Sequence, residues 1–580
     1  MEDPARIALA LDEIASLLTL SAQRERDAGG RFKAQTFERG SHIVRGLADQ
    51  LATLIAEGRL TDIEGVGPSL SRQINELWST GSSSLLTRLR AEHPEGAAEL
   101  SRLKGMTNKR IALVSDELGI HSIEQLRGAC EARLVRALPG FGEKTEQRLL
   151  KSIEELAAQG VEEKRILLAD AIELGQRVTQ ALAGQAEVQL SGAARRGEET
   201  VNQLELTVVG GQRDELVAAL RKLSGIAYLE GQTGHGYMAI GVPLRMHFAA
   251  PDQAGACLLA STGSYAHVHG LRRRAAQRGM SLDEQSRLRG ADGQHLANES
   301  EHALYAALGM HMVPPELRTG GEELARAEHD DFSQLVQVAD IKGMVHCHTT
   351  YSDGKHSIEE MARAAAALGM QYITITDHSP TASYAGGVTL DALKRQWDEI
   401  QEVEQRVNIR ILRGTESDIL GDGSLDYPDA VIEQMDVVIA SIHARLQMSR
   451  DAMTERLVRA MELPVFKIWG HALGRLLLSR APIECDLPRV LDALSRSRGA
   501  VELSCDAHRL DLPPQHIPEA RARNLPFVIS VDAHSTRALD TLAMGVTMAR
   551  RGGVLRSEVL NTLDAQAFLQ RVRPGAALKS

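Results

Sequence analysis

Nine side chains between residues 346 and 534 carry donors suited to metal ions: His346, His348, Asp353, His378, Glu416, His443, His471, Asp532 and His534. Six are histidines, whose neutral imidazole ligates zinc, manganese or iron; the three carboxylates suit harder cations and can bridge two of them. Nine donors exceed what one ion needs, so the set predicts a cluster of two or three. The segments that carry them, HCHTTYSDG, TDHS, GTES, ASIH, WGH and VDAH, sit at or just after short apolar runs. These runs are IKGMV (341–345), YITIT (372–376), IRILRG (409–414), DVVIAS (436–441), FKIWG (466–470) and FVISV (527–531). Helical patterns such as SIEEMARAAAALG (357–369) and LDALKRQWDEIQEVEQRV (390–407) separate them, and such alternation builds a parallel sheet or barrel. Sites on that architecture form at the carboxyl ends of the strands, which predicts all nine side chains on one rim. His356, His508 and His516 fall off the strand ends and read as ordinary solvated residues.

These segments resemble the PHP (polymerase and histidinol phosphatase) superfamily over residues 336–580. The resemblance implies a metal-dependent phosphoesterase on a distorted (β/α)7 barrel, with Mn²⁺ or Zn²⁺ as cofactor. It also implies a partition: His346, His348, Glu416 and Asp532 around one ion, Glu416 bridging to a second held by His443 and His471, and Asp353, His378 and His534 around a third. Such a cluster would activate a water for attack on phosphorus. Arg475, in GHALGR, would contact phosphate, although Ala472 and Leu473 replace the Pro–Thr of relatives.

Composition bounds the rest. A chain of 580 residues suggests several domains, and 43% apolar content with only 3% aromatic means cores of Leu, Ala, Val and Ile rather than disorder. Five cysteines without CxxC spacing argue against a disulfide framework or zinc ribbon. The first residues, MEDPARIALALDEIASLL, lack the pattern of a signal peptide, and no apolar run reaches membrane-spanning length. A reducing cytoplasm is expected. The net charge of −11 is uneven: residues 1–150 hold 20 Lys and Arg against 21 Asp and Glu, so nucleic-acid binding there must come from local geometry.

Two segments supply that geometry. IEGVGPSLSRQI (63–74) and LPGFGEKTEQRL (138–149) place Gly65 and Gly67, and Gly140 and Gly142, between an apolar turn and a new helix. Glycine lets the turn run tight and leaves helix-start N–H groups free for phosphate oxygens, the helix–hairpin–helix device. A third candidate, LKGMTNKRIALV (103–114), has Thr107 in place of the second glycine, and Lys104, Lys109 and Arg110 would substitute by charge.

With RFKAQTFERG (31–40), this arrangement resembles the amino-terminal region of bacterial family X DNA polymerases. LSGAARRGEETVNQLELTVV (190–209) is similar to that family's palm motif, TGSYAHVHGLRRRA (262–275) to its nucleotide-binding segment and PPELR (314–318) to the end of its thumb. The resemblance implies five parts: an N-terminal helical DNA-binding domain (1–85), a fingers-like helical domain (86–165), an α+β nucleotidyltransferase-like palm (166–290), a thumb remainder and linker (291–335), and the PHP domain. It breaks at the chemistry. Three Asp positions that should hold two Mg²⁺ ions read Gln203, Glu205 and Pro243, of which only Glu205 keeps a carboxylate. Ala193 also stands at a usual phosphate-binding Ser. Mg²⁺ is therefore not expected at this degenerate site. Arg195, Arg196, Gly263, Ser264 and Arg272 are candidate retained phosphate contacts, which leaves dNTP binding open.

Three functions compete. The first is a metal-dependent 3′–5′ exonuclease or DNA end-processing phosphoesterase in repair, acting on gapped DNA, 3′ ends or single strands as a monomer, with polymerase activity lost or vestigial. The second is an active gap-filling polymerase with an altered metal site. The third is a non-catalytic DNA-binding scaffold.

Overall fold

Seven short strands, nearly all of whose residues are buried, form the carboxyl-terminal barrel: β1 (Gly343–Cys347), β2 (Tyr372–Ile375), β3 (Arg410–Asp418), β4 (Val437–Ser441), β5 (Lys467–Trp469), β6 (Gly499–Ser504) and β7 (Phe527–Ser530). Burial on both faces is what a parallel sheet wrapped in helices requires, which is why these runs are apolar rather than alternating. The computed structural model describes residues 4–575 other than 26–27, 48–49, 82, 95, 132, 159–164, 230–233, 239, 241 and 284. The strands pair in chain order, all parallel. Val531 N donates to Val345 O at 3.1 Å and Ala533 N to His346 O at 3.0 Å, which joins the last strand's end to the first.

Six of the seven strands follow the runs read from sequence. β6 (GAVELS) is not among those runs. β3 also runs past Gly414 to Asp418, since residues 414–418 pair with 437–441. Glu416 therefore lies inside a strand rather than beyond its end.

The chain divides into two compact units, one spanning 1–165, 174–189 and 202–250, the other 166–173, 190–201 and 251–580. The first joins the amino-terminal helices to a sheet ordered Glu187–Leu190, Leu204–Val209, Pro243–Ala249, His235–Met238, Ile226–Leu229. Its helical part packs around Leu11, Ile14, Ile43, Leu70 and Ile111, all buried. No helix among the described residues is long and apolar enough to cross a membrane.

In the second unit, ahead of the barrel, a buried ion-pair network ties distant segments together. Glu301 accepts from Arg318 Nη1 and from Arg195 Nη2, both at 2.6 Å. Burial works against the Glu301 charge, but the two guanidinium groups outweigh it and hold the carboxyl down at about 2. Removing one member strands buried charge, so Glu301→Gln is expected to destabilise the fold by about 3 kcal/mol. Because the folded pKa is depressed, the wild-type advantage is fully present above pH 4.5 and fades as pH falls toward 2. Urea midpoints of both proteins at pH 7 and pH 3 measure it; an equal gap at both values would rule out the charge as the cause.

Candidate metal centre and DNA-binding hairpins

All nine sequence-identified side chains converge at one mouth of the barrel. His346 is the penultimate residue of β1 and His348 follows the strand; His378, His443 and His471 come just after β2, β4 and β5; Asp532 and His534 follow β7; Asp353 belongs to the loop after β1. Glu416 is at the centre. Its Oε1 lies 2.7 Å from His471 Nε2, 3.2 Å from His443 Nε2 and 3.4 Å from His346 Nε2, and its Oε2 lies 2.9 Å from His378 Nδ1. His348 Nε2 is 3.2 Å from Asp532 Oδ1, and His534 Nε2 is 3.3 Å from Asp353 Oδ1.

Three groups have donor atoms mutually within 4.8 Å: His348, Asp353, His378 and His534; His346, His348 and Asp532; and His378, Glu416 and His443. The first holds the expected Asp353, His378 and His534 with His348 added, and the second holds His346, His348 and Asp532 without Glu416. In the third, His378 enters where His471 was expected, although His471 keeps its contact with Glu416.

The donor set fits divalent cations on two grounds. His346 Nε2, both nitrogens of His348, His378 Nδ1, His471 Nδ1 and Glu416 Oε2 are buried and make no well-aligned hydrogen bond, even where a neighbouring donor or acceptor lies close. Leaving such groups unpaired costs about 1–3 kcal/mol each. Second, the pocket demands positive charge. Burial opposes ionisation of Glu416 and Asp532, yet the surrounding histidines hold both well below the usual carboxylate range. Burial likewise opposes the His443 charge, but Glu416 and Asp418 raise it to about 10, while burial pushes His348 down to about 3. Backbone strain points to the same place. His346 (φ 67°), His471 (φ 24°) and Asp532 (φ 47°) occupy the left-handed region, which costs a non-glycine residue about 1–3 kcal/mol and concentrates at functional sites.

Supporting groups escaped the sequence reading. Glu502 of β6, fully buried, accepts from His346 Nδ1 at 2.6 Å, from Ser530 Oγ at 2.5 Å and from His471 N. Asp418 accepts from His443 Nδ1. Carboxylates in these positions fix the tautomer and orientation of a ligating imidazole. Asp377 accepts from Thr349 N, Thr349 Oγ1, Ser352 Oγ and Gln396 Nε2, which sets the loop after β1. A carboxylate inside an apolar strand was the available signal for Glu502. His356 is less solvated than expected: its Nδ1 accepts from Thr536 N at 3.3 Å.

Arg475 departs from its expected role. Its Nε donates to Arg509 O at 2.7 Å, and its Nη2 engages Leu510 O and Glu199. The side chain is nearly enclosed and braces the loop after β6, so its Nε and Nη2 are engaged inside the protein. Arg509 on that loop is the cation that faces the cluster, with Nε 3.8 Å from Asp532 Oδ2.

The three hairpins share one geometry. Val66 N donates to Ile63 O, Met106 N to Leu103 O and Phe141 N to Leu138 O, and Gly65, Gly105 and Gly140 take φ of 92°, 91° and 80° at the turn. Helices α1 (Pro68–Thr80), α2 (Asn108–Leu118) and α3 (Glu143–Ala158) start directly afterwards. The position held by Gly67 and by Thr107 is an extended N-cap, with φ −76° and −90° respectively, which any residue adopts. The threonine therefore leaves the turn geometry of the third candidate hairpin intact. A Cβ at Gly67 or Gly142 would meet nothing within 4 Å, so packing within the chain does not require glycine there. Lys104 and Lys109 are exposed, but Arg110 is not the loose charge expected: it donates to Gly105 O at 2.7 Å and Gly140 O at 2.9 Å, tying two hairpins together.

At the polymerase-like positions, Glu205 lies on Leu204–Val209 with Arg245 as its register partner, and its Oε2 is 2.9 Å from His247 Nε2. Gln203 precedes that strand and Pro243 begins the neighbouring one. Ala193 lies in the short helix Gly192–Arg195. Arg195 is held by Glu301 and Thr262, and Arg196 by Glu198 and Thr262 O, so neither is poised for phosphate as expected. Gly263 and Ser264 precede helix α4 (Tyr265–Gln277), which carries Arg272.

Comparison with known proteins agrees with this assembly. Residues 97–155 match the SAM-like helix-hairpin-helix tandem, 257–319 the DNA polymerase beta thumb and 345–475 the PHP domain. The DNA polymerase/3′-5′ exonuclease PolX of Bacillus subtilis (strain 168) is 32% identical over 97% of this chain and 99% of its own length. Two shorter relatives, a probable phosphatase of Thermoanaerobacter sp. (strain X514) and one of Syntrophotalea carbinolica, are 27% and 22% identical, each over 37% of this chain and 89% and 90% of their own lengths. A relative at that identity along almost the entire length, with hairpin, thumb and metal-dependent phosphoesterase modules in one order, means that the chain belongs to the PolX family of DNA polymerase/3′–5′ exonucleases carrying a carboxyl-terminal PHP domain.

Proposed function

We propose that this protein is a metal-dependent 3′–5′ exonuclease or DNA end-processing phosphoesterase of DNA repair, in which the barrel hydrolyses and nucleotide transfer by the polymerase-like body is lost or vestigial. One contrast carries the reading: nine convergent donors at the barrel mouth, against Gln203, Glu205 and Pro243 at the other site. Mn²⁺ or Zn²⁺, two or three per chain, would be held by His346, His348, Asp353, His378, Glu416, His443, His471, Asp532 and His534. Bound there, the ions would polarise the scissile phosphate and lower the pKa of the attacking water. Glu502 and Asp418 hold His346 and His443 in the ligating orientation, and Arg509 offers a guanidinium to a phosphate oxygen. The hairpin N-termini at Gly65–Gly67, Gly105–Thr107 and Gly140–Gly142 would grip the DNA backbone, without reading sequence.

The name of the Bacillus subtilis relative favours a second reading, a gap-filling polymerase with an altered metal site. Incubating 5′-end-labelled single-stranded and gapped DNA with Mn²⁺, with and without the four dNTPs, separates the two. Stepwise shortening from the 3′ end, stopped by a chelator, is expected. Templated extension without shortening would support the polymerase, and DNA left intact a scaffold.

A further inference from the structure

We infer that Tyr384 is a stacking platform for the base of the nucleotide whose phosphodiester enters the metal centre, so that the site selects DNA ends over small phosphate esters; this rests on the proposed nuclease function. The chain has only eight tyrosines, and this one leaves 68% of its surface exposed. Its ring centroid lies 6.0 Å from that of His378 and 6.1 Å from that of His443, about one sugar's length from the donors.

The loop presenting it is rigid. Ala382, Ala385 and Val388 are buried; Thr381 N and Oγ1 donate to Asp426 Oδ2 at 2.8 and 2.9 Å; Val388 N donates to His378 O at 2.8 Å. Gly386 turns the chain at φ 68°, and a Cβ on Gly387 would come within 2.1 Å of Ser379 O. An aromatic face fixed beside the centre loses little entropy on stacking, and every base has a π-face to offer it.

The test uses the full chain, Mn²⁺ and single strands ending 3′ in thymidine or in an abasic tetrahydrofuran residue. Tyr384→Ala should raise KM for the thymidine-ended strand roughly tenfold, within the range that base stacking supplies. On the abasic-ended strand the variant and wild type should converge, and Tyr384→Phe should restore the wild-type KM. With the metal removed by chelator, a 3′-terminal 2-aminopurine reads the same contact without turnover: its fluorescence should fall on binding wild type and Tyr384→Phe but not Tyr384→Ala. Equal losses on both strands, no change in KM, or quenching that survives in Tyr384→Ala would overturn the inference. Absence of cleavage by wild type would instead remove the nuclease reading, with the fluorescence comparison still deciding the stacking contact.

Discussion

Glu416→Gln is expected to lower exonuclease activity by about three orders of magnitude and to cost the protein at least one bound divalent ion. The carboxylate sits within 3.4 Å of nitrogens from His346, His378, His443 and His471, so it is the group through which most of the donor set communicates. Glutamine keeps the volume but loses the charge and one acceptor oxygen, and so cannot bridge two cations. Loss of a single preorganised electrostatic group typically costs about 10²–10³ in rate, and a carboxylate beside four of the candidate ligands would affect more than one of them. Hydrolysis of 3′-labelled single-stranded DNA in Mn²⁺, alongside metal content by mass spectrometry and a circular dichroism check on the fold, measures the effect. Near-wild-type turnover with unchanged metal content would remove Glu416 from the mechanism. Wild-type turnover in a chelated, metal-free sample would remove the centre altogether.

Much of this site was legible because ligand positions and barrel strands are coupled in sequence. His346, His378, His443, His471 and Asp532 each follow a short apolar run, and a parallel strand buried on both faces can be little else. What escaped notice lies in the supporting layer. Glu502 looks like one charge in an apolar run, and its value comes from His346 and Ser530, which are 156 and 28 residues away. Arg475 misled for the opposite reason: an arginine beside a metal motif suggests phosphate, but its carbonyl partners at 509 and 510 and its ion pair with Glu199 exist only in the fold. Thr107 shows the limit of motif matching, since the second glycine of the hairpin pattern takes an ordinary extended φ that threonine also adopts.

Templated dNTP addition by this chain is expected to fall at least about 10⁴-fold below that of its own variant Gln203→Asp/Glu205→Asp/Pro243→Asp, with both measured in a Glu416→Gln background so that the barrel does not erase the product. Two of three carboxylate positions lack a charge, and each missing electrostatic group costs about 3–4 kcal/mol of barrier, so two such losses correspond to about 10⁴–10⁶ in rate. The remaining carboxylate is also compromised. Glu205 Oε2 already lies 2.9 Å from His247 Nε2, so a neighbouring imidazole competes for an oxygen that a Mg²⁺ ion would need. Restoration is sterically reasonable because Pro243 begins its strand, where a new N–H disturbs no existing ladder bond and an aspartate can adopt the same backbone. Single-nucleotide gap filling with Mg²⁺ and each dNTP in turn reads the comparison. Robust templated addition by the Glu416→Gln parent, abolished by Glu205→Ala, would mean that one glutamate and its neighbours suffice to hold the ions, and the family's polymerase chemistry would then survive in this chain on an altered ligand set.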